Sequence, residues 1–286
     1  MAPESATEHY GRLQQSFESF HLRIASATKA AAAAEWTTVH PQFEVLLREL
    51  DSLAREHDEW AAAYLANIQQ AFGPGSDPER QHQQQASGVR RWITQDQVYV
   101  LLGLASTEQR SEDWPEAEKS LARASGLIDW LAAGGWLAGL HGQRLMVVSQ
   151  QASVYVERAI YHQDDSTLVA KALDCALQAG QQAESRSSWF IAVEASMLAA
   201  TCAKLQGDDA ALERYSQHGL RLAAAHERQI GHTGDIPSLS RFIQSWIATM
   251  QAGTDLTGET GRHATRLNKA VAGDIARQLY EEVRLP

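Results

Sequence analysis

The sequence predicts an all-α protein built of antiparallel helical hairpins. Three observations carry that expectation. Apolar residues recur at spacings of three and four along most of the chain, and no window alternates apolar and polar residues long enough to form a sheet. Short polar turns such as Gly207-Asp208-Asp209 separate helical segments, so that consecutive helices fold back on each other. Small residues recur on one face near the start of several segments, where a neighbouring helix can approach closely.

The first helix is expected from Leu13 to about Glu35, amphipathic at first and then alanine-rich. Pro41 fits a first helical turn, where its missing N–H costs nothing. Phe43, Leu46, Leu47, Leu50 and Leu53 then form one apolar stripe. A third helix begins near Trp60, because "EHDEW" reads as a helix end, and it fades at residue 72. Residues 1–72 are thus read as N-terminal helical hairpins. Residues 73–88 contain Gly, Pro, Ser and Gln without an apolar pattern and are read as a loop or linker. Helices resume over 89–110, 114–133, 141–162, 166–184, 188–206, 208–229 and 236–251, giving a repeat region from 89 to 251. A second linker covers 252–261. The C-terminal segment 262–286 is read as an amphipathic helix carrying Leu267, Val271, Ile275, Leu279 and Val283 on one face.

The stretch "DWPEAEKSLARASGLI" shows how such a helix begins. Asp113 stands at the N-cap position, and Glu116 three residues later completes a capping-box pattern. Ala117, Leu121 and Ala124 share one face. Ala172, Ala176 and Ala179 repeat the scheme, as do Ala211 or Leu212, Tyr215 and Gly219.

These hairpins resemble the tetratricopeptide repeat family. Leu102-Gly103, Trp114, Ala117, Leu121 and Ala124 fall where that family places its small and large packing residues, and the Gly207 turn matches as well. Ala117, Ala172 and Ala211 are spaced more widely than the family period of about 34 residues. The resemblance covers residues 90–230 and implies hairpins stacked as a right-handed solenoid, with the first helix of each pair lining a concave surface. An ordinary helical bundle without repeat ancestry is the other reading of the same pattern.

The chain has 286 residues, with 25 Lys and Arg against 35 Asp and Glu, a net charge of −10. Nucleic-acid binders need a basic face for phosphate contacts. No basic cluster appears, so neither nucleic acid nor a membrane surface is expected as a partner. Cys175 and Cys202 lie in alanine-rich helical runs and read as small buried side chains. The opening "MAPESATEHYGRL" lacks a signal-like charged-then-apolar pattern, and "ATKAAAAAEW" is far shorter than the roughly 20 apolar residues of a membrane span. A cytoplasmic protein is the expectation.

No phosphate-binding glycine loop, nucleophile elbow or H-E-x-x-H motif occurs, and no metal-ligating E-x-x-H pair is expected. The Asp164-Asp165 and Asp208-Asp209 pairs sit at helix junctions and read as caps, not metal ligands. The histidines are scattered and read as solvated; His218 and His226 are two turns apart. Trp36, Trp60, Trp114 and Trp189 mark expected helix ends, where large rings fill wedges between hairpins. No catalytic residue, metal or cofactor is implied.

The most informative surface lies on the helix 141–162. One face carries Leu145, Val148, Ala152, Val156 and Ala159. Another carries Arg144, Gln151 and Arg158 at heptad spacing, with Tyr155 nearby. With Trp92, Gln95 and Tyr99 from the helix at 89–110, these residues form the candidate partner-binding groove, suited to an acidic group. The functional expectation is a non-catalytic protein- or peptide-binding module acting as scaffold, adaptor or regulator. The alternative is a sensor that holds a small molecule or peptide inside the superhelix, and a helical enzyme is the third reading.

Overall fold

The computed structural model describes residues 5–32, 36–136, 139–162 and 165–229. Among the described residues there are eight α-helices and no strand. They are α1 (Ala6–Ala32), α2 (Trp36–Phe72), α3 (Asp77–Arg110), α4 (Trp114–Ala133), α5 (Leu140–Tyr161), α6 (Ser166–Glu184), α7 (Trp189–Leu205) and α8 (Asp209–Gln229). The chain divides into two compact units, Met1–Leu140 and His141–Pro286. No helix among the described residues is long and apolar enough to cross a membrane. The expected helix at 236–251, the linker at 252–261 and the C-terminal helix lie outside the described residues.

In the first unit, α2 packs against both α1 and α3, and α3 packs against α4. The apolar spacing in each sequence segment becomes the inward face. Leu13, Phe17, Phe20 and Ile24 of α1 are buried, as are Val39, Phe43, Leu46 and Leu50 of α2. Ile93, Leu101 and Leu104 of α3 and Ala117, Leu121, Ala124 and Ile128 of α4 complete this core. The face read from "DWPEAEKSLARASGLI" is therefore a buried helix contact.

In the second unit, α7 lies between α6 and α8 and packs on both. Every residue of α7 from Ile191 to Ala203 is buried. Its sequence explains this: alanines dominate, Glu194 is the one charged residue in that stretch, and a helix apolar on all sides belongs in the interior. On α5, Leu145, Ala152, Val156 and Ala159 join the core of this unit. Val147 and Val154, on another side of α5, are also buried. The two cysteines are free thiols, and burial pushes both up, Cys202 to about 12.

The α3–α4 and α7–α8 turns share one construction. Helix α3 ends with the Glu112 N–H donating to Gln109 O and the Asp113 N–H donating to Glu108 O. Helix α7 ends the same way, from Gly207 to Lys204 and from Asp208 to Ala203. This is the Schellman pattern, whose pivot residue needs a left-handed backbone. Gly207 supplies it freely at φ 70°, and Glu112 adopts it at φ 63°. The residue after each pivot is an aspartate at the start of the next helix. Asp208 Oδ1 accepts from the Ala211 N–H, and Asp165 accepts from the N–H groups of Thr167 and Leu168 at the start of α6. The capping expected at these two aspartates is thus observed. Asp113 occupies the N-cap position of α4, but its side chain makes no cap hydrogen bond. Pro115 stands at the second helical position and lacks one of the amide donors that a cap would receive from. Glu116 pairs with Lys119 instead.

Three sequence expectations change. Helix α1 begins at Ala6, not Leu13, because Ser5 and Glu8 form a reciprocal capping box: the Ser5 N–H donates to Glu8 Oε2 and the Glu8 N–H to Ser5 Oγ. Helix α2 runs unbroken for 37 residues through Pro41 and "EHDEW", since nothing between 56 and 60 interrupts the ladder. The linker expected at 73–88 shrinks to a turn at Gly73–Ser76. Helix α3 starts at Asp77 because Glu79 reaches back to accept from the Gly75 N–H and from Gln69 Nε2 (2.7 Å). Its polar first turns bury Glu79 and His82 and so lack the apolar stripe that marks a helix.

Candidate functional site: a basic-rimmed cleft over helix α7

The second unit contains a cleft of about 420 Å³ between α6 and α8, with α7 as its floor. The floor consists of Ala192, Ala195, Ser196 and Ala199, which share one face of α7. Small residues keep it low. A Cβ added to Gly180 would meet the Ala195 Cβ at 3.5 Å, and one added to Gly219 would meet Ser196 Oγ at 3.5 Å. Ser196 Oγ donates to Tyr215 O at 2.7 Å and ties the floor to α8.

The walls come from helical spacing. Ala176, Leu177, Gly180, Gln181 and Glu184 project from α6, and Arg214, Tyr215, His218 and Arg221 from α8. Leu177 leaves an exposed apolar edge. His218 Nε2 lies 2.8 Å from Glu184 Oε1, and Arg221 Nη2 lies 3.5 Å from His218 Nδ1. The Arg214 guanidinium sits 5.1 Å from the centre of the Tyr215 ring. Two guanidiniums and one carboxylate thus line the cleft, with His218 between Glu184 and Arg221.

The residues expected to line a groove fall in both units. Trp92, Gln95 and Tyr99 lie on one face of α3 in the first unit. Trp92 is exposed, its ring edge-on to Phe17 at 6.0 Å, while Gln95 and Tyr99 are half-buried. In the second unit Arg144 is exposed, and Gln151, Tyr155 and Arg158 are half-buried. Tyr155 lies under the Lys171 ammonium at 4.1 Å, and Arg158 helps hold the Asp165 carboxyl below its usual range, behind the hydrogen bonds from Thr167 and Leu168. Part of this stripe therefore engages the start of α6. The cleft residues on α8 escaped sequence reading because Arg214, His218 and Arg221 at i, i+4 and i+7 look like an ordinary solvated face.

Two further features revise the sequence reading. The histidines are not all solvated: His9, His57 and His82 are buried around Trp60. Glu18–His21 and Glu79–His82 have the E-x-x-H spacing by which helical bundles present metal ligands. The Glu79 oxygens are taken up at the α2–α3 turn, His82 Nε2 lies 3.0 Å from Ala61 O, and His21 Nε2 lies 3.1 Å from Asp96 Oδ1. Among the described residues no group of three or more His, Cys, Asp or Glu could hold a metal ion. In the second unit, Glu194 of α7 is buried and receives Ser149 Oγ at 3.2 Å; burial pushes its carboxyl up to about 7.

No family model matches the chain, and no curated protein or solved structure matches it.

Proposed function

We propose that the chain is a non-catalytic binding module of stacked helical hairpins, similar to a tetratricopeptide solenoid, and that its second unit holds an acidic segment of a partner protein. The observation that carries this reading is the cleft over α7, with its small-residue floor and with Arg214 and Arg221 on its rim. The shared Schellman-then-aspartate construction of the α3–α4 and α7–α8 turns supports a repeated hairpin unit. A rim of guanidiniums selects carboxylates by paired, charge-assisted hydrogen bonds. The cleft volume also lies within the range of small-ligand sites, which favours a sensor of a small anion as the second reading.

The test uses panels of Glu/Asp-rich and Lys/Arg-rich peptides of matched length, titrated against the full chain. The acidic panel binds, binding weakens with salt, and Arg214→Glu with Arg221→Glu abolishes it while the helical content is kept. Equal binding of both panels, or binding unaffected by the double reversal, overturns the cleft assignment. Arg144→Glu with Arg158→Glu is the parallel variant: loss of binding only there moves the site to the α5 stripe.

A further inference from the structure

We propose that the first unit carries a proton-binding site, the His9–His57 pair, which holds the first turns of α1 against α2 only while both rings are neutral. The hydrogen-bond geometry permits one arrangement of protons. His57 Nε2 lies 3.0 Å from Ala86 O, a pure acceptor, so that nitrogen carries the hydrogen. The neutral ring then offers Nδ1 as an acceptor, 3.2 Å from His9 Nε2, which must be the donor. His9 in turn keeps Nδ1 as an acceptor, and Arg12 Nη2 donates to it at 3.3 Å. A directional relay therefore runs from Arg12 through His9 and His57 to the backbone of α3.

Each free lone pair in this relay is already used. A proton on His57 Nδ1 would set an N–H against the His9 N–H. A proton on His9 Nδ1 would set one against the Arg12 guanidinium. Neither ring can turn to avoid the conflict, because both are almost wholly buried and His9 is stacked on Trp60 at 3.8 Å. Tyr10 of α1 and Tyr64 of α2 enclose the same ring system, with His82 of α3 edge-on to Trp60.

Among the described residues, two carboxylates of α2 beside the pair are already engaged. The Asp58 carboxylate on α2 is held by Arg90 Nε of α3 at 3.1 Å, and Glu56 faces Arg12 at 3.9 Å. Burial pushes the His57 ring below its ordinary value of 6.5, with His9 and Arg90 acting in the same direction against the Ala86 carbonyl and Asp58. A lowered value for a base means that the opened form binds the proton better. The contact is therefore intact above about pH 6.5 and is lost as pH falls below it.

The release is local. Further along α1, His21 Nε2 lies 3.1 Å from Asp96 Oδ1 of α3, and Arg23 pairs with Glu49 at 2.5 Å. Acid thus frees the segment around His9 and uncovers the Trp60–Tyr64 face of α2, while the later turns of α1 stay attached.

Hydrogen exchange of the full chain, corrected for intrinsic rates, tests this between about pH 7.5 and pH 5.5. Protection of residues 6–16 falls as the pH drops below about 6.5, by at most about tenfold per pH unit, the limit for one linked proton. Protection of residues 93–105 does not follow it. Ring ¹⁵N shifts at neutral pH show both His9 and His57 as the Nε2–H form. Unchanged protection of residues 6–16, loss in step with residues 93–105, or a ring protonated on Nδ1 at neutral pH overturns the proposal. In His9→Gln with His57→Gln, which keeps polar partners without titration, the pH dependence disappears; its persistence also overturns the assignment.

Discussion

The ring of Phe43 on α2 occupies the space that a Cβ on Gly103 of α3 would need. An added Cβ would lie 2.5 Å from Cζ and 2.6 Å from Cε1 of that ring. Phe43 is almost wholly buried, so the ring has nowhere to retreat. The glycine in "LLGLA" is therefore a close-approach residue between two long helices.

Gly103→Ala sets two effects against each other. Alanine gains about 1 kcal/mol of helix propensity over glycine. The clash with Phe43 costs about 1–3 kcal/mol through forced rotamers and backbone shift. The clash is the larger effect, and the variant is expected to unfold at lower denaturant concentration. Phe43→Leu in the same chain should recover part of the loss, because the two changes share one contact. Equal stability of Gly103→Ala and the parent chain would show that α2 and α3 are not this close.

Ala117 has no exposed surface and begins the buried face of α4. Ala117→Trp adds an indole where α3 and α4 meet and should cost about 3 kcal/mol or more. The check is the thermal midpoint of the full chain. Ala122, exposed on the same helix, is the control: Ala122→Trp should leave the midpoint nearly unchanged.

Glu194 makes stability depend on pH in the direction opposite to the histidine pair. Its value is raised from 4.5 to about 7, so the folded state prefers the neutral acid. The associated stability is complete below about pH 4.5 and is lost as pH rises toward 7. The shift corresponds to about 3 kcal/mol, in order of magnitude. Glu194→Gln should therefore be more stable than the parent at alkaline pH and close to it in acid. A variant that gains equally at both pH values would show that Glu194 does not titrate with folding.

Glu79 is expected to hold the start of α3. Its carboxyl is kept below the usual range by the hydrogen bonds from Gln69 and the Gly75 N–H. In Glu79→Ala the turn at Gly73–Ser76 loses its central acceptor, and exchange at residues 77–86 should rise while residues 98–104 stay protected. If exchange over 77–86 is unaffected, the polar first turns of α3 are held by something other than Glu79.

The sequence by itself determined the helical class, the bounds of α4 through α8 to within a residue or so, and the buried faces of α4 and α6. These are local properties: helical period and turn chemistry act over a few residues. The same logic failed at residues 73–88, where α3 is polar and its start depends on Glu79 and on rings brought by α2. The cleft and the histidine pair were illegible for a related reason. Arg214, His218 and Arg221 carry the spacing of any solvated face, and only α6 and α7 make that face one wall of a cleft. His9 and His57 are 48 residues apart. Whether a histidine is solvated or buried and neutral depends on the partners that meet it, and those partners are brought together only when α1, α2 and α3 pack.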